Sequence, residues 1–561
     1  MSLDAAYRDY QAGAYAEAET KLAALALREP HNLQALHLGA MVAAKRGEFA
    51  TALKRVQASL ADPQNAHEKL NTRGNILAGL GMDTDAEASF ELALQQDRKY
   101  HVARRNLASL LLETSQPDRA ADVYADLIRA KPSDANAHRG RIHALLESNQ
   151  LSDAEVALSK APLEDAEKHM LEARLHFYRG EFEDVLGKSA RALGRPANGA
   201  GPFAQSLQVL RMTGGWDMAE SLIEDTLARH PARADLWATG ITALHKAGDT
   251  GAALQLFGRA PRDTPTLLAR AEIALDQGHF ADAEALALQV LERQPGQPGG
   301  MRVAALASLG LKKFDQAQAI SDFGLRNTPN NQFYYAVKAS AGRAKGQDYR
   351  HYFNYDAFVK TYDLDAPEGW ADMAAFNAEL KAELDALHGF SDAPLDQTLR
   401  FGTQTASDLR FVDSPAIRAF FKAVRPAVQD YIDTLPRNPG HAFLRRNTGA
   451  FRVRSAWSVR LGAGGHHIDH IHPEGWISSA YYVDVPKGEG REGWIKFGEP
   501  PAPIGEAIGQ GPEHEVEPVA GRLVLFPSYL WHGTYPITKH KSRMTLPIDI
   551  LPGRPDKVVS R

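Results

Sequence analysis

The sequence predicts two kinds of structure in one chain: an all-α solenoid of repeated helix pairs, followed by an antiparallel β domain with flanking helices. Three observations point to this fold class. Prolines recur near multiples of 34 residues through the first 340 residues. Beyond residue 450, helical spacing gives way to short runs rich in β-branched and aromatic residues, bounded by Gly and Pro. Seven of the 21 histidines fall within residues 466–540, which indicates that the β domain carries the chemistry.

The composition limits the possible classes of function. The 561 residues include no Cys, so disulfides, thiolate catalysis and Cys-ligated zinc are excluded, and a metal site must use His and carboxylates. The net charge is −5 and no long run of like charge occurs, which argues against a nucleic-acid or anionic-lipid partner. No apolar stretch reaches the ~18 residues of a membrane span and the N-terminus has no apolar leader, so we expect a cytoplasmic protein.

The first 340 residues show a period of about 34 residues. Successive boundary prolines are separated by 33, 69, 99, 30, 34 and 34 residues, close to one, two or three periods: Pro30, Pro63, Pro132, Pro231, Pro261, Pro295 and Pro329. The segments between them are rich in Ala and Leu at helical spacing. A proline at the start of each unit suits a helix N-terminus, where its missing N–H is not needed.

The clearest unit, residues 32–63, resembles the tetratricopeptide repeat. Gly39 and Ala58 stand where that family keeps small residues, which let paired helices approach closely, and Pro63 stands at its boundary proline. The resemblance implies about nine or ten units, with residues 150–230 degenerate. Such arrays present an extended surface, so we expect a protein or peptide partner there and no nucleic acid or membrane.

Residues 341–440 differ from both neighbouring regions. Aromatic residues cluster at 349–364, helices are predicted over 374–390 and 415–434, and LDQTLRFGTQT (395–405) is typical of a loop or extended chain. We therefore predict three regions. Residues 1–340 form the repeat solenoid, 341–440 form a mixed helical and loop connector packed on the last domain, and 441–561 form the β domain.

Short strands with turn residues between them fill the chain beyond residue 450. The predicted strands are AWSVRLG, HIDHIH, WISSAYYVDVP, GWIKFGEP, RLVLFPS, HGTYPI and SRMTLPIDILP. Because helices precede the strands and do not alternate with them, a β-sandwich or barrel is favoured over a βαβ sheet.

The histidine-rich segment suggests a metal site. On a strand, His470 and His472 share one face, while His467 and Asp469 share the opposite face. His532 supplies a third imidazole about 60 residues later. Two ligands on one strand plus a distant histidine form a facial set that leaves coordination positions open. A non-haem Fe(II) oxygenase needs such positions for a co-substrate and for oxygen.

A candidate anion-binding pair follows on a later strand. Arg543 comes eleven residues after His532, and Thr545 lies on the same strand face. A guanidinium with a neighbouring hydroxyl is suited to hold a distant carboxylate.

Four segments of the chain resemble a family of 2-oxoglutarate–Fe(II) oxygenases that carry an N-terminal tetratricopeptide array. They are HIHPEGWISSAYYV, KFGEP, RLVLFPSYLWHGT and SRMT. The resemblance covers roughly residues 350–552, with the repeats before it. It implies a C-terminal double-stranded β-helix, or jelly-roll, that binds Fe(II) and uses 2-oxoglutarate as co-substrate.

The resemblance also implies roles for individual residues. His470 would be the proximal metal ligand and His532 the distal one, and Arg543 would anchor the far carboxylate of 2-oxoglutarate. Further candidate contacts to the co-substrate are Thr545, Ser478 and Tyr482.

One ligand stays open at the level of sequence. The general superfamily usually has Asp or Glu two residues after the first histidine, and here that position holds His472. We favour His470 with His472, because these residues carry the closer match to HIHPEGW. The alternative is that Asp469, with His467, completes the site, since a register slip of one residue exchanges the two faces.

The predicted function is hydroxylation of a side chain in a protein or peptide that the repeat array recognises, by an Fe(II)- and 2-oxoglutarate-dependent dioxygenase. An alternative is a tetratricopeptide interaction scaffold with a degenerate, non-catalytic β-helix domain. A further alternative keeps the iron without the co-substrate, as in three-histidine dioxygenases.

Overall fold

The computed structural model describes residues 2–193, 199–395, 397–486, 490–538 and 542–553. His540, Asp396 in the stretch 395–405, and the last eight residues of the predicted 441–561 domain lie outside these ranges. The helices in the described ranges are α1 (Leu3–Gln11), α2 (Tyr15–Arg28), α3 (Leu33–Lys45), α4 (Phe49–Ser59), α5 (Ala66–Gly79), α6 (Asp83–Gln96), α7 (His101–Glu113), α8 (Pro117–Ala130), α9 (Ala135–Glu147), α10 (Leu151–Lys160), α11 (Asp165–Arg179), α12 (Phe182–Ala192), α13 (Gly201–Met212), α14 (Ala219–Arg229), α15 (Ala234–Lys246), α16 (Thr250–Arg259), α17 (Thr264–Asp276), α18 (Phe280–Arg293), α19 (Pro298–Gly310), α20 (Phe314–Asn327), α21 (Gln332–Ala344), α22 (Tyr355–Phe358), α23 (Met373–Leu387), α24 (Pro415–Thr434) and α25 (Ala502–Ile508). The strands are β1 (Lys360–Asp363), β2 (Leu399–Gln404), β3 (Phe451–Ala456), β4 (Val459–His467), β5 (Ile477–Asp484), β6 (Ile495–Phe497), β7 (His514–Val516), β8 (Arg522–Pro527), β9 (His532–Thr534), β10 (Arg543–Thr545) and β11 (Ile548–Pro552).

Helices α1 to α20 follow one another along the chain as ten consecutive pairs, in agreement with the nine or ten repeat units expected. The predicted all-α solenoid is therefore confirmed. Glycines allow close packing within it: a Cβ added at Gly74 or Gly140 would overlap the ring of Phe90 or Tyr124 respectively. Gly39 is buried as expected. Ala58, by contrast, is exposed to solvent.

The chain forms two compact units. The first comprises Met1–Leu145, Lys160–Pro162 and Phe323–Asn331. The second comprises Leu146–Ser159, Leu163–Asp322 and Gln332–Arg561. The second unit thus holds later repeat helices together with every described strand. The predicted boundaries at residues 340 and 440 stay predictions.

All the described strands pair antiparallel. The larger sheet has the order β1-β8-β5-β10-β4-β2, and β11 pairs with both β3 and β5; the smaller sheet has the order β7-β6-β9. This strand-rich region is the antiparallel architecture that a jelly-roll requires, although the pairings of the described residues do not close a barrel.

The segment 341–440 supplies two strands as well as helices. Helices α23 and α24 lie where the sequence predicts them. Strand β1 pairs with β8, and β2 pairs with β4 across a register shift between Arg400 and Gly402. Strand β2 falls within residues 395–405, where a loop or extended chain was expected. The sequence did not predict β1, which has only four residues and lies at the end of the strand order. No helix in the described ranges is both long and apolar enough to cross a bilayer.

A buried histidine ties the end of α23 to the larger sheet. His388 is 7% exposed, its Nδ1 lies 2.8 Å from the Thr403 hydroxyl of β2, and its Nε2 lies 3.0 Å from the Ser458 hydroxyl. Burial lowers the pKa of His388 to about 4. The folded protein therefore holds this ring neutral in a pH range where the unfolded chain binds a proton.

We expect the wild type to lose stability as the pH falls from about 6.5 towards 4. In this range His388 binds a proton in the unfolded state but stays neutral in the folded state. Between pH 7 and pH 5 this group lowers the free energy of unfolding by roughly 2 kcal/mol. Urea unfolding followed by tryptophan fluorescence at both pH values should show a smaller pH effect in His388→Gln than in the wild type. The exposed control His101→Gln should behave as the wild type; equal pH effects in all three proteins would contradict the assignment.

Candidate metal centre

The segment 468–472 places two histidines beside a third. The backbones of His470 and His532 hydrogen-bond to each other in both directions, at 2.9 and 3.0 Å. The backbone N–H of His472 donates to the carbonyl of Ser528 at 3.0 Å. These bonds fix the segment against β9 and against the residues that follow β8.

This path differs from the strand predicted for HIDHIH. Strand β4 ends at His467, and within residues 468–472 only His470 takes part in a β-bridge. The segment does not continue as a strand, because its backbone N–H groups donate to Thr398, His532 and Ser528, in three different places, rather than to one neighbouring strand. His470 and His472 nevertheless lie on the same side, as their spacing predicts.

Three imidazoles converge at this point. The ring centroids of His470 and His532 are 4.2 Å apart, those of His472 and His532 5.2 Å, and those of His470 and His472 5.3 Å. One nitrogen from each ring lies within 4.8 Å of the other two. The Nε2 atoms of His472 and His470 are 3.4 Å apart. The spacing suits three ligands of one metal ion.

The opposite nitrogen of each ring has an acceptor as its partner. Nδ1 of His470 lies 2.7 Å from the Ile468 carbonyl, and Nδ1 of His532 lies 2.9 Å from the Leu530 carbonyl. Nδ1 of His472 lies 2.7 Å from Asp549 Oδ1. Because these oxygens only accept, each Nδ1 must carry the proton and each Nε2 keeps its lone pair. This is the tautomer in which metal-ligating histidines are held.

The electrostatics favour the same state. Burial, reinforced by the neighbouring His472, lowers the pKa of His470 to about 3. Burial, reinforced by His470, also lowers the pKa of His532 well below its ordinary value. Both rings are therefore neutral at physiological pH, with lone pairs available to a cation.

Asp549 orients His472 and is itself held in place. Its Oδ1 accepts a hydrogen bond from the Ser478 hydroxyl at 2.9 Å, and Ser478 also contacts the Ser528 hydroxyl at 2.9 Å. Burial opposes ionisation of Asp549, but His472 and the hydroxyl of Ser478 hold its pKa below the ordinary value. Sequence reasoning missed Asp549; the available signal was a single carboxylate within the apolar strand IDIL.

The alternative ligands, Asp469 and His467, make contacts outside the group of three histidines. Asp469 Oδ2 accepts from Lys496 Nζ at 2.8 Å, and burial raises the pKa of Asp469 to about 6 although Lys496 opposes that shift. Nδ1 of His467 lies 3.2 Å from the Thr398 hydroxyl, and its ring lies 6.0 Å from that of His470. Among the described residues, neither Asp469 nor His467 belongs to the group of converging ligand atoms.

The predicted anion-binding residues lie together on β10 and β5. Thr545 is the direct cross-strand partner of Tyr482. Arg543 is 2% exposed, donates one hydrogen bond to the Gly493 carbonyl, and lies 5.7 Å from the centre of the Tyr482 ring. Arg543 Nε and the Tyr482 hydroxyl are both buried without a hydrogen-bond partner among the described residues. Burial lowers the pKa of Arg543 and raises that of Tyr482 to about 12.

This arrangement leaves polar groups that a ligand could satisfy. Buried guanidinium groups are normally paired with an anion, and no described carboxylate forms an ion pair with Arg543. The unpartnered N–H of Arg543 and the unpartnered O–H of Tyr482 are both donors of the kind that a carboxylate accepts.

Comparison with family models identifies both parts of the chain. Residues 455–549 match a family described as "Putative 2OG-Fe(II) oxygenase", and residues 105–167 and 268–323 match the tetratricopeptide repeat. The chain therefore has tetratricopeptide repeats in its N-terminal region and, towards its C-terminus, a domain of that oxygenase family. The comparison with curated proteins gives no match.

Solved structures that match this chain do so at low sequence identity and low TM-score. One is a tetratricopeptide repeat protein from Parabacteroides merdae, 15% identical with a TM-score of 0.30, covering 49% of this chain and 98% of that one. Yeast Tom70 is 12% identical with a TM-score of 0.33, covering 63% of this chain and 90% of that one. PilF of Pseudomonas aeruginosa is 17% identical with a TM-score of 0.30, covering 34% of this chain and 87% of that one.

The observed residues fit the two groups that the oxygenase family implies. Three imidazoles, each with one nitrogen within 4.8 Å of the other two, fit a divalent transition metal such as Fe(II). The unpartnered atoms of Arg543 and Tyr482 fit a carboxylate of 2-oxoglutarate.

We expect Asp549→Ala to weaken metal binding about 10- to 100-fold, because His472 loses the acceptor that fixes its tautomer and ring orientation. Asp549→Asn keeps an oxygen acceptor and should lie between this variant and the wild type. Calorimetric titration of the metal-free proteins with Co(II) measures the effect. The control Asp134→Ala removes another buried carboxylate, from the N-terminus of α9, and should leave the affinity unchanged. Equal affinities in Asp549→Ala and the control would refute the role of Asp549.

Proposed function

We propose that this protein is an Fe(II)- and 2-oxoglutarate-dependent dioxygenase that hydroxylates a side chain of a protein or peptide bound through its repeats. The observation that carries the proposal is the convergence of three imidazole nitrogens, each with its opposite N–H tied to an oxygen. The match of residues 455–549 to the oxygenase family supports it independently.

His470, His472 and His532 would hold the metal through their Nε2 atoms. Fe(II) bound there supplies the reaction of O2 with 2-oxoglutarate, which yields succinate and CO2 and inserts one oxygen atom into a substrate C–H bond. Three neutral ligands leave the full charge of the metal uncompensated. This favours binding of an anionic co-substrate and makes the absence of a carboxylate in the ligand set compatible with the reaction.

Arg543 would hold the far carboxylate of 2-oxoglutarate, with Tyr482 donating its hydroxyl proton and Thr545 contributing a neighbouring hydroxyl. The first two residues gain partners for atoms that are otherwise buried without one. Satisfying a buried cation in this way gives selectivity for a dianion, because a ligand with only one carboxylate leaves the guanidinium unpaired. Ser478 would act through Asp549, to which its hydroxyl is bonded.

Aromatic rings around the histidines would keep water away from the reacting groups. The ring of Phe526 lies 4.7 Å from that of His532, and the ring of Trp457 lies 6.1 Å from that of His472. An apolar surround strengthens electrostatic interactions within the site and protects reactive groups from water.

The repeats favour a protein or peptide as the substrate. Repeat arrays of this kind offer long surfaces on which contacts far from the reacting side chain contribute to binding and orientation. Such contacts can align an unactivated C–H bond that has little binding affinity of its own.

We expect anaerobic addition of 2-oxoglutarate to the Fe(II)-loaded protein to produce the visible charge-transfer band of a chelated 2-oxo acid. Arg543→Ala should weaken 2-oxoglutarate binding at least tenfold, through loss of the only buried cation in the described site. Tyr482→Phe removes only the unpartnered hydroxyl and should give a smaller loss. Arg460→Ala, which removes a more exposed arginine paired with Asp385, serves as the control.

Each result has a distinct meaning. Stoichiometric iron without a band would refute the co-substrate and favour a three-histidine dioxygenase. Failure to retain iron would favour an interaction scaffold with an inactive β domain. A band of equal strength in the wild type and Arg543→Ala would refute the role of Arg543. Once the band is established, succinate release with a peptide pool identifies the substrate class.

A further inference from the structure

Helix α21, which directly follows the repeat helices α1 to α20, is buried along most of its length. Ten of its 13 residues are buried, including Gln332, Tyr335 and Ser340. A helix at the end of a repeat array ordinarily keeps one face in solvent. Here α21 packs against α19 and against residues of the strand-rich region in the same compact unit.

The N-terminus of α21 is bonded next to one candidate ligand. The backbone N–H of Gln332 donates to the carbonyl of Pro473 at 2.8 Å, and Pro473 directly follows His472. The first N–H groups of a helix have no partner within the helix, so they need an acceptor of this kind. The bond fixes the chain just beyond His472.

The middle of α21 is bonded next to a second candidate ligand. The indole N–H of Trp531, the residue before His532, donates to the Ser340 hydroxyl at 3.0 Å. Gln510 donates its side-chain N–H to the Ser340 carbonyl at 2.8 Å. Both Trp531 and Ser340 are almost fully buried, so loss of either partner leaves a polar group unsatisfied.

The C-terminal end of α21 is hydrogen-bonded to residues next to β6, the strand that pairs with β9. Arg343 donates to the carbonyls of Gly498 and Gly511, at 2.9 and 3.2 Å, and lies 3.4 Å from the carboxylate of Glu513. Gly498 follows Phe497, which is the β6 partner of His532. The backbone N–H of Gly498 in turn donates to the carbonyl of Trp531 at 2.9 Å.

We propose that α21 is a positioning element of the metal centre, with Ser340 as its positioning residue. The helix is bonded beside His472 at one end and beside His532 at its middle, so it fixes the separation of these two ligands. Metal affinity then depends on the helix that directly follows the repeat array. The proposal rests on the metal binding contained in the proposed function, but does not require 2-oxoglutarate.

The test uses the full-length, metal-free protein and Co(II), whose visible absorption reports both affinity and coordination geometry. Ser340→Ala and Trp531→Phe should each weaken Co(II) binding about 5- to 20-fold and alter the absorption band. The double variant should be no weaker than either single variant, because both changes remove the same hydrogen bond. Ser308→Ala removes another fully buried serine, bonded within α19, and should bind Co(II) as the wild type does.

Unchanged affinity and absorption in Ser340→Ala would overturn the proposal, as would additive losses in the double variant. Melting temperatures lowered equally in Ser340→Ala and Ser308→Ala, with only the former affected in Co(II) binding, would support positioning over general destabilisation. A wild type that binds Co(II) but not 2-oxoglutarate would refute the co-substrate and leave this proposal intact. A wild type that binds no Co(II) would overturn both.

Discussion

The site depends on one electrostatic constraint: one nitrogen from each of three imidazoles lies within 4.8 Å of the other two, on one buried ring and two half-buried rings. Each Nδ1–H donates a hydrogen bond to an oxygen: to the carbonyl of Ile468, the carbonyl of Leu530 or the carboxylate of Asp549. With the proton on Nδ1, the Nε2 atoms cannot donate to each other. Converging acceptors without a donor are unfavourable in a low-dielectric environment. A divalent cation bound to the three nitrogens would remove this cost. This agrees with the hydrogen bonds that backbone carbonyls make to the His470 and His532 rings.

A second constraint lies on β10 and β5, where hydrogen-bond donors rather than acceptors are buried without partners among the described residues. Arg543 brings a buried positive charge, and Tyr482 a buried hydroxyl, without acceptors for all their donors among the residues described. A dicarboxylic 2-oxo acid carries groups that suit both features: oxygens that bind a cation and a second carboxylate that accepts hydrogen bonds from a guanidinium. The same two features separately would have many explanations. Together in a domain of this family they favour an oxygenase.

The sequence predicted the repeat solenoid because a 34-residue period is a global pattern that no single residue can obscure. It also grouped His470, His472 and His532, since spacing and resemblance point to the same residues. It did not predict that HIDHIH leaves the sheet, because that path depends on hydrogen bonds to distant residues such as Ser528. Asp549 was missed for the same reason: its function depends on a contact with a residue 77 positions away.

The most direct measurement is the iron content of the wild type and single ligand variants after anaerobic loading and desalting. We expect one iron per chain in the wild type and in Asp469→Asn, and little in His472→Ala or His532→Ala. Iron retained equally by the wild type and His532→Ala would contradict the metal centre. Iron lost from Asp469→Asn but kept by His472→Ala would show that the other ligand set holds the metal.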